Sequence, residues 1–297
     1  MWFRAIRSAN PMSAGASSLL GDAMLAHRPR PRHPRTVLIT GASSGIGLEF
    51  ARIFADRMHN LVLVSRDPKT LLGISAELER QHGVTVTPLS ADLSTADSPD
   101  QILAELNDRS IHVDMLVNNA GFAMSGPFAQ CDVATCMQLL QVNIVSLTHL
   151  TRLLLPPMVQ RGFGRILNMA SIAAFVPGPL TVCYNASKAF VVSLSTALSH
   201  ELRDTGVTVT ALCPGPTQTR FAERAGLTGT KAFSENVMDP ADVARCGFDA
   251  MMLGKPLEVP GLRNKMRMLP LPWVPRRVLA HFSKKYHEKL PTVYLDE

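Results

Sequence analysis

The stretch TVLITGASSGIG, residues 36–47, decides how the rest of the sequence is interpreted. It begins as a short apolar and β-branched run, which is typical of a strand covered on both faces of a sheet. Glycines follow at positions 41, 45 and 47, where the chain enters an amphipathic helical pattern. Glycine permits a tight turn, leaves bare backbone for a pyrophosphate and lets the helix N-terminus face the anion. The stretch therefore predicts a strand, a dinucleotide-binding loop and a helix. A P-loop is not indicated, because its closing G-K-[ST] is missing.

Strand and helix patterns alternate outward from this stretch. The predicted strands are TVLITG, LVLVSR, VTVTPLS, MLVNNAG, RILNMAS and VTVTALCPG, and PLEVPG is a candidate shortened edge strand. Helices are expected after the glycine loop to about residue 59, over LLGISAELERQ, near 132–161 and near 181–204. This alternation predicts an α/β protein with a doubly wound parallel sheet, the Rossmann fold. One catalytic domain is expected over residues 36–253, with an extension at 1–35 and a helical tail at 254–297.

Charge is unevenly distributed along the chain. Residues 1–35 hold six Arg against one Asp, residues 254–297 hold nine Lys and Arg against four acids, and the middle holds 15 basic against 19 acidic side chains. A mildly acidic body between basic ends argues against a nucleic-acid-binding core. The five cysteines and nine histidines show no metal-ligand spacing, so no metal site is expected and the thiols fit a reducing compartment.

The first 35 residues leave the location of the protein open. They are rich in Arg and Ser and poor in acids, which is typical of an organelle transit peptide, and they lack the apolar core of a signal peptide. A disordered extension, or a true start at Met12 or Met24, is the other interpretation. No apolar run approaches the ~20 residues of a membrane span. We expect a cytoplasmic protein, or a mitochondrial one if the extension is a transit peptide, with peripheral membrane association as a further possibility.

Beyond the glycine loop, further motifs follow in a fixed order. They are Asp92-Leu93, Asn118-Asn119-Ala120-Gly121, Asn143, Ser171, Tyr184-x-x-x-Lys188 and Pro214-Gly215 with Thr217 and Thr219. The sequence resembles the short-chain dehydrogenases/reductases, whose motifs have this order and spacing over some 180 residues. The resemblance implies a nicotinamide-dependent oxidoreductase with Ser171, Tyr184, Lys188 and Asn143 as its catalytic set. The cofactor contacts it implies are Gly41, Ser43, Ser44, Gly45, Ile46, Gly47, Asp92, Leu93, Asn119, Tyr184, Lys188, Pro214, Gly215, Thr217 and Thr219.

The predicted catalytic residues have chemistry that suits a carbonyl/alcohol interconversion. Tyr184 and Lys188 are four residues apart in a helical stretch, so they project from one face. A nearby ammonium should lower the pKa of a tyrosine toward neutrality, and Lys188 would also hydrogen-bond the nicotinamide ribose. Ser171 ends a strand on the ligand-binding edge of the sheet and can hold the substrate oxygen while Tyr184 donates the proton. By resemblance, Asn143 keeps a water in a proton relay behind Lys188.

The end of the second strand predicts the choice of cofactor. NAD-specific folds usually place Asp or Glu there for the ribose 2′-hydroxyl, whereas this strand ends with Ser65-Arg66. A guanidinium suits a 2′-phosphate and a carboxylate would repel it, so Arg66 predicts NADP(H). Asp67 lies one position too far along for the ribose contact by resemblance. The other interpretation is that Arg66 only caps the strand in solvent.

The substrate and the assembly are less well defined by the sequence. Five apolar residues near the predicted pocket indicate a fairly apolar substrate, and they are Phe122, Met124, Phe175, Val176 and Pro177. The polar, glycine-containing residues 217–238 are expected to form the segment that covers the substrate. The resemblance implies a homodimer through the two long helices. The tail could pack over the substrate mouth or lie on anionic lipid as a basic amphipathic helix. A catalytically retired, NADPH-sensing member of the family is a further alternative, disfavoured because the four catalytic residues are all present.

Overall fold

The fold is built on a single seven-stranded parallel sheet in the order β3-β2-β1-β4-β5-β6-β7. The structure is a computed structural model, and it describes residues 34–234 and 237–288. The strands are β1 Thr36–Thr40, β2 Asn60–Ser65, β3 Val86–Ser90, β4 Met115–Asn118, β5 Gly164–Met169, β6 Val207–Leu212 and β7 Leu257–Glu258. The doubly wound parallel sheet expected from the alternation of patterns is confirmed.

Helices cover both faces of this sheet and continue beyond its last strand. They are α1 Gly45–Asp56, α2 Pro68–His82, α3 Ser98–Asp108, α4 Val133–Leu140, α5 Leu147–Gln160, α6 Val182–Glu201, α7 Phe221–Arg224, α8 Pro240–Met252, α9 Leu262–Met268 and α10 Arg276–His287. One apolar layer lies between the sheet and α1, α2 and α8, and the other lies between the sheet and α3, α5 and α6. The strands are apolar along most of their length because both faces are covered.

The strand order reverses between β1 and β4, which pair directly although two strand–helix units separate them in sequence. Connections from the carboxyl ends of these strands leave in opposite directions, and a crevice opens between them. The glycine loop after β1 and the Asn118–Gly121 stretch after β4 therefore meet at one point. The topology places a ligand site there before any side chain is considered.

The last strand matches the predicted edge strand. β7 pairs with β6 over only Ala211↔Leu257 and Leu212↔Glu258. Pro256 precedes it and Pro260 follows shortly after. Proline has no N–H to give to a ladder, so these two residues limit the strand and leave it at the edge.

The helix pair α4 and α5 is continuous through a π-helical turn at Gln141–Ser146. The whole stretch Val133–Gln160 has a mean hydropathy of 1.3 in its most apolar window and, by length and composition, suffices to cross a membrane, with 33% of that window buried. This corrects the expectation that no stretch approaches the length of a span. Its buried residues, such as Leu150 and Leu154, face the sheet, as they do in the core helix of a doubly wound domain.

The tail forms two short helices joined by a 3₁₀ turn at Leu271–Trp273. Leu279, Phe282 and Tyr286 of α10 line the large cavity at the carboxyl edge of the sheet. The tail was expected either to pack over the substrate mouth or to lie on lipid, and one face of α10 packs over the mouth of the cavity. The predicted extension lies outside the described residues, apart from Pro34 and Arg35.

Candidate active site

The glycine loop has the backbone that its sequence predicts. Gly41 and Gly45 have φ values of +66° and +55°, a region in which a side chain is strained. Ser43, Ser44 and Ile46 line the cavity together with these two glycines. Gly47 does not line it, because a Cβ there would lie 2.3 Å from the Gly41 carbonyl oxygen. Gly47 thus packs closely against the loop, and its expected contact with a nucleotide stays a prediction.

Side chains at the ends of β1 and β4 hold this loop in place. The Thr40 hydroxyl accepts hydrogen bonds from the backbone N–H groups of Asn119 and Ala120, both at 3.0 Å. The Asn119 amide donates to the Thr40 carbonyl at 2.9 Å and to the Gly41 carbonyl at 3.3 Å. Asn119 also lines the cavity. Its amide nitrogen therefore holds the loop, and other atoms of the same residue form part of the cavity wall.

One cavity of about 1120 Å³ runs along the carboxyl edge of the sheet. Almost all of the predicted site residues lie in its wall. These are Gly41, Ser43, Ser44, Gly45, Ile46, Arg66, Asp92, Leu93, Asn119, Ser171, Tyr184, Lys188, Pro214, Gly215, Thr217 and Thr219. Of the predicted site residues, only Gly47 and Asn143 lie outside the cavity wall. No group of three or more His, Cys, Asp or Glu among residues 34–234 and 237–288 is placed to hold a metal ion.

Arg66 lies at the end of the cavity near β2. It is exposed and borders the cavity beside Ser65, which is the last residue of the strand. The neighbouring Asp67 is the N-cap of α2: its carboxylate accepts from the Lys69 backbone N–H at 3.0 Å and from the Thr70 hydroxyl. Its hydrogen bonds with Thr70 lower the pKa of the Asp67 carboxyl. The Asp67 carboxylate is therefore engaged in capping, and the exposed Arg66 guanidinium borders the cavity at this end of the wall.

Tyr184, Ser171 and Lys188 meet at the other end of the cavity. Ser171 follows β5 and receives the Ala173 N–H at 3.1 Å, and it hydrogen-bonds the Tyr184 phenol. Lys188 lies one turn further along α6, with its Nζ 5.7 Å from the centre of the Tyr184 ring. The Nζ donates to the Met169 carbonyl at 2.7 Å, which fixes the ammonium against the end of β5. The three residues predicted to carry the chemistry are thus brought together.

The pKa of Tyr184 differs from the expectation. Burial raises the pKa of the phenol to about 12, against a smaller lowering by its hydrogen bond with Ser171. Burial also lowers the pKa of Lys188 to about 8. The lysine was expected to lower the pKa of the tyrosine, but in this site desolvation of the phenolate is the largest influence and raises it. At neutral pH the phenol is protonated and the lysine is mostly charged.

Asn143 lies behind this group, in the π-helical turn between α4 and α5. It is fully buried: its Oδ1 accepts from the Phe122 N–H at 3.1 Å, and its amide donates to the Phe122 carbonyl and the Ser187 hydroxyl at 3.0 and 3.1 Å. A Cβ on Gly121 would lie 2.9 Å from Asn143 Oδ1 and 3.4 Å from Lys188 Nζ. The side chain fixes the loop after β4, and its part in a water relay stays a prediction.

Asn185 is a positioning residue that the sequence analysis missed. It is 4% exposed, accepts from the Thr181 hydroxyl at 2.8 Å and donates to the carbonyls of Ala173 and Val176 at 3.0 and 3.1 Å. A Cβ on Gly178 would overlap it at 2.2 Å. The residue therefore ties the loop after Ser171 to the helix that carries Tyr184. The only signal in the sequence is its place directly after the tyrosine.

Much of the wall at the substrate end comes from the covering segment expected at 217–238 and from the tail, whereas the individual apolar residues expected there are only partly found in it. Of the five apolar residues expected there, Phe122 and Val176 line the cavity, while Met124, Phe175 and Pro177 do not. Phe175 instead packs against the cluster around Val191 and Ala211. The walls come mainly from short helices after β6 and β7, and their lining residues include Phe221, Arg224, Leu227, Phe233, Met268, Leu271, Leu279, Phe282 and Tyr286. The strand-end motifs gave no information about these.

With this site and sheet, the chain belongs to the short-chain dehydrogenase family, whose model matches residues 35–228. It is 33% identical over 194 residues to a ketoacyl reductase, HetN, of a Nostoc species (65% of this chain) and 34% identical over 208 residues to a very-long-chain 3-oxoacyl-CoA reductase of Bos taurus (69% of this chain). The chain covers 66% of the length of each, just under two thirds.

Solved structures give the same family. A short-chain dehydrogenase from Sphingobium yanoikuyae in complex with NADPH aligns with a TM-score of 0.74 at 36% identity, covering 80% of this chain and 92% of that one. A bulky-bulky ketone specific alcohol dehydrogenase from Comamonas testosteroni aligns at 0.71 and 30% identity, covering 90% of this chain and all (100%) of that one. These alignments extend the likeness beyond the matched family region.

Proposed function

We propose that this protein is an NADPH-dependent reductase that transfers hydride to the carbonyl group of a fairly apolar substrate, with Tyr184 as the acid. The observation that carries the proposal is a single cavity with Arg66 at one end and the Ser171–Tyr184–Lys188 group at the other. The NADPH in the Sphingobium yanoikuyae structure supports the cofactor assignment for a chain of 36% identity.

The residues at the nucleotide end fit NADPH. Two glycines with positive φ leave backbone exposed beside the start of α1, which suits a pyrophosphate. At the end of β2, Arg66 offers a guanidinium to a 2′-phosphate, and Asp67 is turned to its own helix cap. Asp92 and Leu93 line the same end, and Thr217 and Thr219 line the opposite wall. The bound cofactor would supply the hydride.

The residues at the other end can hold and protonate a carbonyl oxygen. Ser171 would donate a hydrogen bond to that oxygen, and the Tyr184 phenol beside it would give up its proton as the oxygen becomes an alkoxide. A phenol with a pKa of about 12 is protonated at neutral pH, so it is ready to act as an acid. The charge left on the tyrosine would be offset by the Lys188 ammonium, whose Nζ lies 5.7 Å from the ring centre.

The substrate class is inferred from the cavity wall. Phe122, Val176, Leu227, Leu271 and Leu279 make the substrate end largely apolar. Relatives named as 3-oxoacyl-CoA reductases and as a bulky-ketone alcohol dehydrogenase support ketones with long or bulky apolar groups. The direction of turnover in a cell follows the cofactor ratio rather than the residues.

The test is NADPH oxidation against bulky ketones, aldehydes and long-chain 3-oxoacyl thioesters, with NADH as the parallel cofactor. We expect turnover that rises with the apolar size of the ketone and prefers NADPH. Tight NADPH binding with no turnover on the whole panel would instead support a retired, cofactor-sensing member of the family. Turnover without a preference for NADPH would contradict the cofactor assignment.

We also propose a homodimer through the helices that carry the catalytic residues. Exposed apolar side chains lie along this face, and they are Val133, Met137, Val145, Val182 and Phe190. Val145→Asp with Phe190→Asp should convert dimer to monomer in light scattering, because each places a charge in an apolar contact. Leu72→Asp, at a 60% exposed position on α2, is the matched control. An unchanged mass in the double variant would contradict the proposal.

A further inference from the structure

Large apolar side chains are exposed along the tail surface, which we define as residues 262–288. Five of its apolar residues are more than half exposed: Leu262 73%, Met266 55%, Leu269 67%, Trp273 71% and Phe282 64%. Scattered apolar residues on a protein surface need no explanation, but a concentration within one short segment marks an interaction site. The tail surface therefore has a binding face that the described fold does not cover.

The exposed apolar residues of α9 and of its C-cap, Leu269, lie on one side of the helix. Leu262, Met266 and Leu269 follow the four- and three-residue spacing that stacks side chains on one helical face. On the opposite side, Asn264 is 8% exposed and its amide donates to the Pro260 carbonyl at 2.9 Å. Trp273 is in the 3₁₀ turn that follows. The helix is thus anchored by one face and presents the apolar one to solvent.

The tail surface is also strongly basic. Residues 262–288 contain seven Lys and Arg and one acid, Glu288. Six of these cations are exposed, and they are Arg263, Lys265, Arg276, Arg277, Lys284 and Lys285. Lys265 is held by Glu258 at 2.6 Å. Exposed apolar side chains with a tryptophan among surrounding cations are typical of a segment that lies in the interface of an anionic membrane.

We propose that the tail surface docks this protein on an anionic phospholipid bilayer, with Leu269 and Trp273 inserted among the lipid chains. A second copy of the chain is disfavoured as the occupant, because a two-fold contact would place the six exposed cations against the same six. Anionic headgroups neutralise these cations while the apolar residues leave water. The charge and the apolar face therefore select the same partner.

The same segment forms part of the cavity wall. Met268 and Leu271 line the cavity, and the neighbouring Leu269 and Trp273 are exposed on the tail surface. Phe282 both lines the cavity and is exposed. A docked tail would therefore bring the substrate end close to the lipid. This consequence rests on the proposed reductase function, since an apolar ketone would reach the cavity from the bilayer. The docking itself does not depend on turnover.

Co-sedimentation of the full chain with vesicles tests the docking. We expect the protein to pellet with an equimolar mixture of phosphatidylcholine and phosphatidylglycerol, and to stay in solution with phosphatidylcholine alone. Raising the salt concentration should weaken the binding, because the attraction between cations and headgroups is screened. No binding to the anionic vesicles at low salt would overturn the proposal.

Two double variants separate the apolar from the electrostatic part. Leu269→Ser with Trp273→Ser should weaken vesicle binding by about tenfold or more, because both side chains lose their burial in lipid. Arg276→Glu with Arg277→Glu should weaken it by at least about tenfold, since each cation near the surface contributes to binding. None of the four residues lines the cavity, so NADPH affinity should stay unchanged and report that the variants are folded.

Matched controls carry the same changes elsewhere on the surface. Leu72→Ser changes a 60% exposed leucine of α2, and Arg80→Glu with Arg203→Glu reverses two exposed arginines outside the tail surface. The controls should bind vesicles like the wild type. Equal losses in controls and tail variants, or no loss in either tail variant, would overturn the proposal. The second result would also arise if the basic residues of 1–35 bound the lipid instead.

Tryptophan fluorescence gives an independent measurement, because the sequence contains only two tryptophans, Trp2 and Trp273. In a Trp2→Phe variant the emission reports Trp273 alone. We expect a blue shift with anionic vesicles and quenching by lipids brominated on their acyl chains. Binding without either change would contradict the insertion of Trp273. A blue shift that depends on protein concentration without vesicles would identify a second copy as the occupant and overturn the lipid proposal.

Discussion

The two ends of the cavity are built in different ways. The nucleotide end is made of residues that follow β1, β2, β3 and β4 directly, and its loop is held by Thr40 and Asn119 inside the sheet. The substrate end is made by α7, α9 and α10, which are short helices that follow the last long strands. The nucleotide end is therefore a fixed site for one cofactor, whereas the wall of the substrate end can vary with the substrate.

Replacing the catalytic tyrosine should have the largest effect, because both ends serve the chemistry at this residue. Tyr184→Phe should lower turnover by ~10²-fold or more and leave NADPH affinity nearly intact, since it removes the proton donor and few cofactor contacts. Steady-state kinetics and a cofactor titration on the same preparation measure the two quantities. Turnover within a few-fold of the wild type would remove Tyr184 from the proposed mechanism.

Lys188→Ala is the companion change. Its Nζ faces both the tyrosine and the cavity wall, so turnover and NADPH affinity should both fall. Because the amine is buried, a stability measurement on this variant is needed beside the kinetics. A loss of turnover with unchanged cofactor affinity would mean that Lys188 acts on Tyr184 and does not contribute to NADPH binding.

Removing the charge at the far end should affect the cofactor alone. Arg66→Ala should weaken NADPH by a factor of ~10 to 100 and leave NADH nearly unchanged, because one charge-assisted hydrogen-bond partner of a phosphate is lost. Arg66→Asp should move the preference further toward NADH through repulsion of the phosphate. Dissociation constants for both cofactors at one salt concentration measure this.

Arg80→Ala, at an exposed position of α2 outside the cavity wall, is the control for a general change of surface charge. It should leave the ratio of the two cofactor affinities as in the wild type. Equal losses of NADH and NADPH in Arg66→Ala would mean that the arginine is structural. The NADP(H) proposal would then lose its main support.

The pH dependence of reduction should be set by the buried lysine. Burial lowers the pKa of Lys188 to about 8 and raises that of Tyr184 to about 12, so the ammonium is lost first as pH rises. We expect kcat/KM to fall above about pH 8, approaching tenfold per pH unit, because this constant reports the free enzyme. A constant kcat/KM up to pH 10 would contradict the role of the lysine charge.

The lowered pKa of Lys188 also affects the stability of the fold, which should rise with pH where kcat/KM falls. The folded pKa of Lys188 is below its usual value of 10.5, so folding favours the neutral amine. The penalty for burying the charge is present below about pH 8 and is relieved as pH rises through that value toward 10.5. The contribution of this residue to stability should therefore increase over the range in which activity declines.

The contrast between the two ends also describes what the sequence could predict. Motifs such as Gly41–Gly45 and Tyr184–Lys188 border one cavity, because the sheet fixes where strand ends and helix faces meet. The assignment of Gly47 to the cofactor stays a prediction, because its spacing in the sequence does not distinguish contact with a phosphate from contact with the Gly41 carbonyl. The tyrosine pKa was predicted in the wrong direction because desolvation depends on packing that the sequence does not show.

The substrate end was predicted least well. Leu271 and Leu279 line the cavity from the tail. The sequence left packing of the tail over the substrate mouth and binding to lipid as alternatives, and it did not indicate which tail side chains would line the cavity. Conversely, Phe175 looks like a pocket residue from its distance to Ser171 in sequence, yet it packs against α6 and β6. Long-range placement of short helices is thus the information that was missing.

Shortening an apolar residue at this end should affect the substrate and spare the cofactor. Leu279→Ala should raise KM for a long-chain ketone by about three- to tenfold, because part of a leucine side chain no longer covers it, with NADPH affinity unchanged. Leu72→Ala is the control, at an exposed position away from the cavity. An equal change of KM for a short and a long ketone would indicate a general loosening of the tail and not a substrate contact.

The smallest effect is expected at the start of the first strand, at the edge of the sheet opposite the cavity. Deleting residues 1–34 should leave stability and specific activity unchanged, because β1 begins at Thr36 and the truncated chain keeps Arg35. The Arg35 carbonyl accepts from the Asn60 N–H at 2.9 Å, and its guanidinium lies 3.2 Å from the centre of the Phe163 ring. Arg35→Ala should cost about 1 kcal/mol through the loss of this cation–π contact, which corresponds to a fall in Tm of about 2 to 4 °C for a domain of this size. Thermal unfolding of the truncated chain, with and without Arg35→Ala, measures both. A large loss on truncation alone would mean that residues before Arg35 belong to the folded domain, and an unchanged Tm in Arg35→Ala would mean that the strand is held by its backbone hydrogen bonds without help from the guanidinium.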